Sequence, residues 1–290
     1  MAKITELLSA GRTFSFEFFP PTNDDEQARL VRTLRALEPL DPAFVSVTYR
    51  GGRASRRRTH DLVVGMLKTT TLTPMAHLTC VVHSRLELAE ILIDFRRAGI
   101  ENVLALGGDP PPEGEGDVAE LVYASELVEL ARAIGGFSIG VAAHPEIHPR
   151  SPDRTTDREH LAAKLRQADF AITQFFFRLD DYLQLVDELS ALGIDKPVIP
   201  GIMPITSLAS ISRMAQLSGA EVPAEVVSRL DGVSDPDTVR RIGIDLATEL
   251  CQHLLDEGVP GLHFYTLNQS TATRQIYDNL GLRAAATGAA

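Results

Sequence analysis

The chain has little cysteine, no surplus of basic charge and no long apolar run, and each shortage closes off a class of function. Its two cysteines, Cys80 and Cys251, are too few for a disulfide framework and lack metal-ligand spacing, so both read as ordinary buried thiols of a reducing compartment. With 28 basic against 39 acidic residues among 290, the net charge is −11. That balance argues against nucleic acid or an anionic membrane surface as a partner. It leaves room for small anionic ligands wherever basic residues are local. No apolar stretch approaches the roughly 18 to 20 residues of a membrane span. The N-terminus carries charge with no hydrophobic region behind it, so no signal peptide and a cytoplasmic location are expected.

Several nucleotide and catalytic signatures are missing too. No Gly-x-Gly-x-x-Gly opens a helix after the first strand, there is no Gly-x-x-x-x-Gly-Lys-Ser/Thr loop, and no Gly-x-Ser-x-Gly elbow. No lysine stands at a strand end as a Schiff-base former, which counts against a lyase or aldolase. Neither a composition shift nor a short-period repeat divides the chain.

What is present is an alternation of strand and helix patterns. Residues 14–18 alternate Phe14, Phe16 and Phe18 with Ser15 and Glu17, and Pro20 and Pro21 end the strand because proline cannot donate to a ladder. Further strands read over 43–49, 74–81, 102–106, 137–143, 170–176, 197–203 and 261–267. Helical patterns fall between them: from an Asn23 or Asp24 cap to Leu37, through Met66, from a Ser84 cap to Ala98 and Gly99, over 119–134, over 156–167, and as an extra segment over 223–254. Eight strands each followed by a helix predict a single α/β domain, a (β/α)8 TIM barrel over 13–282, with an N-terminal segment 1–12 and a flexible tail 283–290.

In such a barrel the C-terminal strand ends converge on one mouth. The first six strands deliver Glu17, Thr48, His77, Asp109, His144 and Gln174 there. Glu17 stands in apolar company, where desolvation favours the protonated carboxyl, so a Glu that keeps its proton near neutral pH is expected. Gln174 lies among apolar neighbours, where an unpartnered amide costs about 1 to 3 kcal/mol, and a ligand would supply the partner. His144 and His148 invite a zinc reading, but Pro145 and Pro149 prevent the helix that would align them, so no metal is expected. The glycines of 107–116 let backbone approach a flat ligand beside Asp109.

Together the motifs Ser15-Phe-Glu-Phe-Phe-Pro-Pro21, Val45-Ser-Val-Thr-Tyr49, His77-Leu-Thr-Cys80, Ala105-Leu-Gly-Gly-Asp-Pro-Pro111, Ala142-Ala-His-Pro-Glu-Ile-His-Pro149, Ala171-Ile-Thr-Gln-Phe-Phe-Phe177, Pro200-Gly-Ile-Met-Pro204 and His263-Phe-Tyr-Thr-Leu-Asn268 resemble the catalytic barrel of methylenetetrahydrofolate reductases. The similarity runs in order from about residue 13 to 282. It implies reduction of 5,10-methylenetetrahydrofolate to 5-methyltetrahydrofolate in one-carbon metabolism, with NADH or NADPH as hydride donor and FAD as the usual carrier. By the resemblance, Glu17 delivers the proton that opens the substrate ring and Asp109 lies near pterin and flavin. Gln174 hydrogen-bonds the pterin, and Thr48, His77, His148 and Asp157 touch flavin.

The departures from the family pattern are local. Gly107 replaces an arginine, His144 a tyrosine and His160 an amide, and a basic pair is reduced to Ala163 and Lys164 with one residue deleted before Ala168. A dinucleotide diphosphate needs positive charge, and each lost charge-assisted contact costs about 1.5 to 3 kcal/mol. The expectation is therefore a reductase with a degraded flavin site, in which the nicotinamide gives its hydride directly to the folate. Lys164, Arg158 or Arg166 could compensate and restore an ordinary flavoenzyme, and a folate-binding protein without turnover is the reading from another class. On the folate side, Leu208 stands where an aromatic would stack and Gln269 where an arginine would hold the glutamate tail, with Arg274 or the basic loop 50–58 as substitutes. A homo-oligomer is compatible with all of this.

Overall fold

The computed structural model describes residues 1–49, 53–109 and 119–282, with the side chains at 53–55, 208–210, 214 and 217 outside the described set. Eight parallel strands close into a barrel in chain order: β1 (Thr13–Phe18), β2 (Phe44–Val47), β3 (Pro74–Thr79), β4 (Asn102–Leu106), β5 (Ser138–Ala143), β6 (Phe170–Phe175), β7 (Val198–Ile202) and β8 (Gly261–Tyr265). Around them run α1 (Ile4–Ala10), α2 (Asp24–Leu37), α3 (Arg53–Thr69), α4 (Arg85–Ala98), α5 (Ala124–Ile134), α6 (Arg154–Gln167), α7 (Leu179–Ala191), α8 (Leu208–Ser218), α9 (Ala224–Leu230), α10 (Pro236–Asp256) and α11 (Thr271–Asn279). The expected barrel is present. Among the described residues no helix is long and apolar enough to cross a membrane.

Local chemistry sets the helix ends. Asn23 Oδ1 accepts from the Glu26 N–H at 2.9 Å to start α2. Ser84 and Glu87 make a reciprocal capping box at α4, which ends on left-handed Gly99 at φ 86°. Two expected helices differ. The one read over 119–134 starts only at Ala124, because Glu126 Oε2 turns back to accept the N–H groups of Val122 and Tyr123, both at 2.8 Å. The segment read over 223–254 is two helices, since Asp235 caps a fresh start with Pro236 at its first position.

Strand alternation separates two cores. Outward side chains such as Phe16, Phe18, Val45, Val47 and Leu78 join the helices in the main core. Inward positions hold a second cluster, Phe44, Met75, Leu104, Phe170, Ile172 and Ile199, which is joined by Ile4 of α1. The N-terminal segment packs against the barrel: the Ile4 N–H donates to Asn102 Oδ1 at 2.9 Å and the Thr5 N–H to Ser138 Oγ at 3.2 Å. Apolar packing fills the floor, and inward polar groups are left for the mouth.

Candidate active site

Glu17, on the inward face of β1, is 7% exposed. Register sets Ser46 of β2 beside it on one side and Tyr265 of β8 on the other. The Ser46 hydroxyl donates to Glu17 Oε2 at 3.2 Å. His77 Nε2 lies 3.3 Å from the same oxygen, off hydrogen-bond geometry, and His263 Nε2 lies 3.6 Å from it. His263, 1% exposed, also sits with Nδ1 2.8 Å from Ser15 Oγ. The two ring nitrogens of His263 thus face Ser15 on one side and Glu17 and Ser46 on the other.

This surrounding corrects the expected state of Glu17. The three phenylalanines of β1 occupy its opposite face, because side chains alternate, so the carboxyl meets polar groups. Burial pushes its pKa up, but the His263 ring, electrostatic attraction to His77 and His263, and the Ser46 hydroxyl outweigh burial and hold it below the ordinary value. The resting group is a carboxylate. Burial holds His77 down in turn, against the pull of Glu17.

The end of β1 is fastened to the turn after β8. Thr266 Oγ1 donates to Glu17 O at 2.6 Å, and Asn268 pairs its amide with the Phe19 backbone through two 2.9 Å bonds. Leu267 and Asn268 take left-handed conformations at φ 51° and 54°, a strain of the kind that clusters at functional sites. None of His263, Thr266 and Asn268 was assigned a role from sequence, although all three lie in a motif that carried the family resemblance.

Across the mouth, the turn after β5 is organised by one buried side chain. Arg158 of α6, 3% exposed, directs Nε to Glu188 at 2.7 Å and Nη1 to Asp157 at 2.6 Å and His144 O at 3.0 Å. Its Nη2 donates to Pro145 O at 2.6 Å and Glu146 O at 2.9 Å. These use the five N–H donors of a guanidinium. Asp157 is equally committed, since its second oxygen accepts from the His148 N–H at 3.2 Å and the Ser151 hydroxyl at 2.8 Å. The turn so held brings the His144 and His148 rings to 4.5 Å.

Burial, with His148 and Lys164 nearby, holds His144 down to about 3, so its ring is neutral. His148 is lowered as well, by burial and then by Arg150 and Lys164. The Lys164 ammonium donates to Ala142 O at 3.1 Å, and burial lowers it to about 8 against the pull of Asp157.

The residues singled out from sequence thus divide. Glu17 and His77 meet, and His144, His148, Asp157 and Lys164 form a second group. Thr48 is buried with its hydroxyl unpartnered, as is that of Thr79. Asp109 is exposed at the rim, and residues 110–116 of the loop lie outside the described residues. Gln174 is only half-buried and its Oε1 accepts from the Phe175 N–H at 3.0 Å, so one end of the amide is already partnered without a ligand. His160, Gln269 and Arg274 are exposed. The side chain of Leu208 and the start of the basic loop 50–58 lie outside the described residues. Among those described, no group of three or more potential metal ligands gathers.

A family model described as methylenetetrahydrofolate reductase matches residues 3–281. The chain is 39% identical over 271 residues to the 5,10-methylenetetrahydrofolate reductase of Pectobacterium carotovorum subsp. carotovorum, covering 93% of this chain and 90% of that protein. To the Escherichia coli (strain K12) enzyme of the same name it is 37% identical with the same coverage. Among solved structures it is similar in fold to an uncharacterized protein from Clostridium thermocellum described as binding two copies of 5-methyl-5,6,7,8-tetrahydrofolic acid. That match has a TM-score of 0.64 at 14% identity and covers 97% of each chain.

Proposed function

The chain belongs to the methylenetetrahydrofolate reductase family, and from that premise we propose that it reduces 5,10-methylenetetrahydrofolate with hydride taken directly from a reduced nicotinamide dinucleotide. The observation that carries the direct route is the commitment of Arg158 and Asp157. All five Arg158 donors and both Asp157 oxygens are used inside the protein, so neither is available to a flavin diphosphate. With Gly107 and Ala163 bare and His160 exposed on the helix, the contacts that the family pattern would give a flavin diphosphate at these three positions are missing.

The reaction needs one proton and one hydride. Protonation at N10 of the folate breaks its bond to the bridging carbon and leaves an iminium at N5, and hydride addition to that carbon gives the methyl group and oxidised nicotinamide. The nicotinamide supplies the hydride. Glu17 supplies the proton. Resting as a carboxylate, it takes up one proton from solvent as the folate closes over the mouth, where loss of the remaining water favours its neutral form, and passes that proton to N10. His263 and Ser46 hold the carboxyl in place, and the two bonds from Asn268 fix the strand end behind it. Asp109 and Gln174 orient the pterin from the rims of β4 and β6.

A second reading, the flavin-dependent enzyme, is favoured by one observation. Among the described residues, Thr48 Oγ1, His77 Nε2 and Thr79 Oγ1 are buried around the mouth without hydrogen-bond partners, which a bound ring could supply. The test is NADH oxidation on addition of methylenetetrahydrofolate to protein stripped of flavin, with and without added FAD, repeated with NADPH. Turnover without FAD is expected. Turnover only with FAD would establish the flavin reading, and none under either condition would leave a folate-binding protein.

A further inference from the structure

At the end of β4 two glycines leave the backbone bare, and a cation from the next loop stands over it. Gly108 has φ 86°, and a Cβ there would lie 2.6 Å from Val81 Cγ2, so a side chain is excluded on both grounds. A Cβ on Gly107 would lie 3.5 Å from Arg150 Nη2. The edge of the guanidinium therefore lies at van der Waals contact from a Cβ at position 107, where a long side chain would meet it. Its own contact with the protein is weak, a 3.5 Å approach of Nη2 to Gly108 O.

Arg150 makes no ion pair among the described residues, and neither does Lys164, whose ammonium meets only the Ala142 carbonyl. The turn between them is fixed: the Arg150 N–H donates to His148 Nδ1 at 3.0 Å, and Arg158 holds the preceding carbonyls. In a chain of net charge −11, two cations that form no ion pair among the described residues flank one rim of the mouth, Lys164 under the pull of Asp157. His144 and His148 between them are lowered and neutral, and Asp109 and Asp157 are the nearby acids acting on His148.

We infer that Arg150 and Lys164 grip the diphosphate of the nicotinamide dinucleotide from two sides, with Arg150 placed by the bare backbone of Gly107 and Gly108. The planar fork of Arg150 suits two phosphate oxygens at once, and Lys164 adds a point charge. The inference rests on the direct-hydride reading and adds to it the residue that sets where the dinucleotide lies. It also makes Gly107 a specificity position, since a long side chain there would displace the guanidinium.

The test is equilibrium binding of NADH, and of ADP-ribose as a diphosphate without the nicotinamide, to flavin-stripped protein with no folate present. Arg150→Ala is expected to weaken both ligands by about tenfold or more, leaving the melting temperature and 5-methyltetrahydrofolate affinity unchanged. Arg150→Lys should fall between, because the fork is lost and the charge kept. Gly107→Arg added to Arg150→Ala should recover part of the loss by bringing a cation to the same space. An Arg150→Ala protein that binds NADH and ADP-ribose within twofold of wild type overturns the inference while the direct-hydride reading stands. Wild-type protein that takes up no NADH overturns both.

Discussion

The two sides of the barrel mouth hold their ionisable groups by opposite means. On the β8, β1, β2 and β3 side, Glu17 is held by side chains from neighbouring strands, Ser46, His77 and His263, each on an inward position set by sheet register. On the β5 and α6 side, His144, His148 and Asp157 are held by the path of a turn, and that path is tied by one arginine to three backbone carbonyls. The first arrangement tunes a proton and the second shapes a surface. A strand-borne group should therefore be separable from folding, and a turn-borne group should not.

Glu17→Gln is the sharpest test of the first half. It keeps the shape and removes the proton, so turnover should drop by about 10²- to 10⁴-fold, the range typical of a lost general acid. NADH and 5-methyltetrahydrofolate binding should stay within a few-fold of wild type. Loss of binding in parallel with rate would show that Glu17 builds the mouth and would erase the contrast.

Arg158→Met is the matching test of the second half. It leaves Asp157, Glu188 and the carbonyls of His144, Pro145 and Glu146 without their donor, and removing one partner from a buried ionic network costs about 3 to 5 kcal/mol. Denaturant unfolding should show that loss, with dinucleotide affinity falling and the proton chemistry of the remaining folded protein intact. A variant as stable as wild type would mean that the turn holds itself.

Legibility from sequence follows the same division. Apolar runs bounded by turn residues are enough to place all eight strands, and period-2 alternation puts Ser15 and Glu17 on the face opposite the phenylalanines. It says nothing of what lies across the barrel. Glu17 was therefore expected to meet apolar groups and keep its proton, and His263 went unassigned, because its partners Ser15 and Ser46 lie some 217 to 248 residues away in the chain. Cap chemistry is local, and Asn23 and Ser84 start their helices as read. The floor is not local: Ile4 is fully buried by a cluster drawn from five strands, which no pattern in residues 1–12 announces. Arg158 reads in sequence as one more cation available to phosphate, and only the folded turn shows its donors already taken.

Acid stability should separate the two sides more gently. Burial lowers His144 to about 3, and His77 and His148 also lie below the ordinary value near 6.5. The unfolded chain takes up these protons near pH 6.5 while the folded protein does not. Their neutral burial is therefore without cost above that pH, and stability is lost as pH falls from about 6.5 towards 3. Each group steepens the slope by at most about 1.4 kcal/mol per pH unit. Urea midpoints measured across this range should decline less steeply in His144→Asn than in wild type. An unchanged slope would place the acid sensitivity on His148 or on His77 of the β3 side.

The smallest expected effect belongs to Lys164, and its sign is set by proton loss. Its ammonium is lowered to about 8 by burial, opposed by Asp157, with His144 and His148 its titratable neighbours in the turn. As pH rises through about 8 the free protein loses this positive charge, while Arg150 on the same rim keeps its own. kcat/KM for NADH should therefore decline above pH 8, and kcat/KM reports the free enzyme. A partly exposed ammonium is worth about 1 kcal/mol to an anion, so the decline should be about fivefold and should level off on the charge that Arg150 retains. Lys164→Met should start from that lower plateau and show no decline through pH 8. A decline that persists in Lys164→Met would assign the titration to another group and leave Arg150 as the cation that holds the dinucleotide.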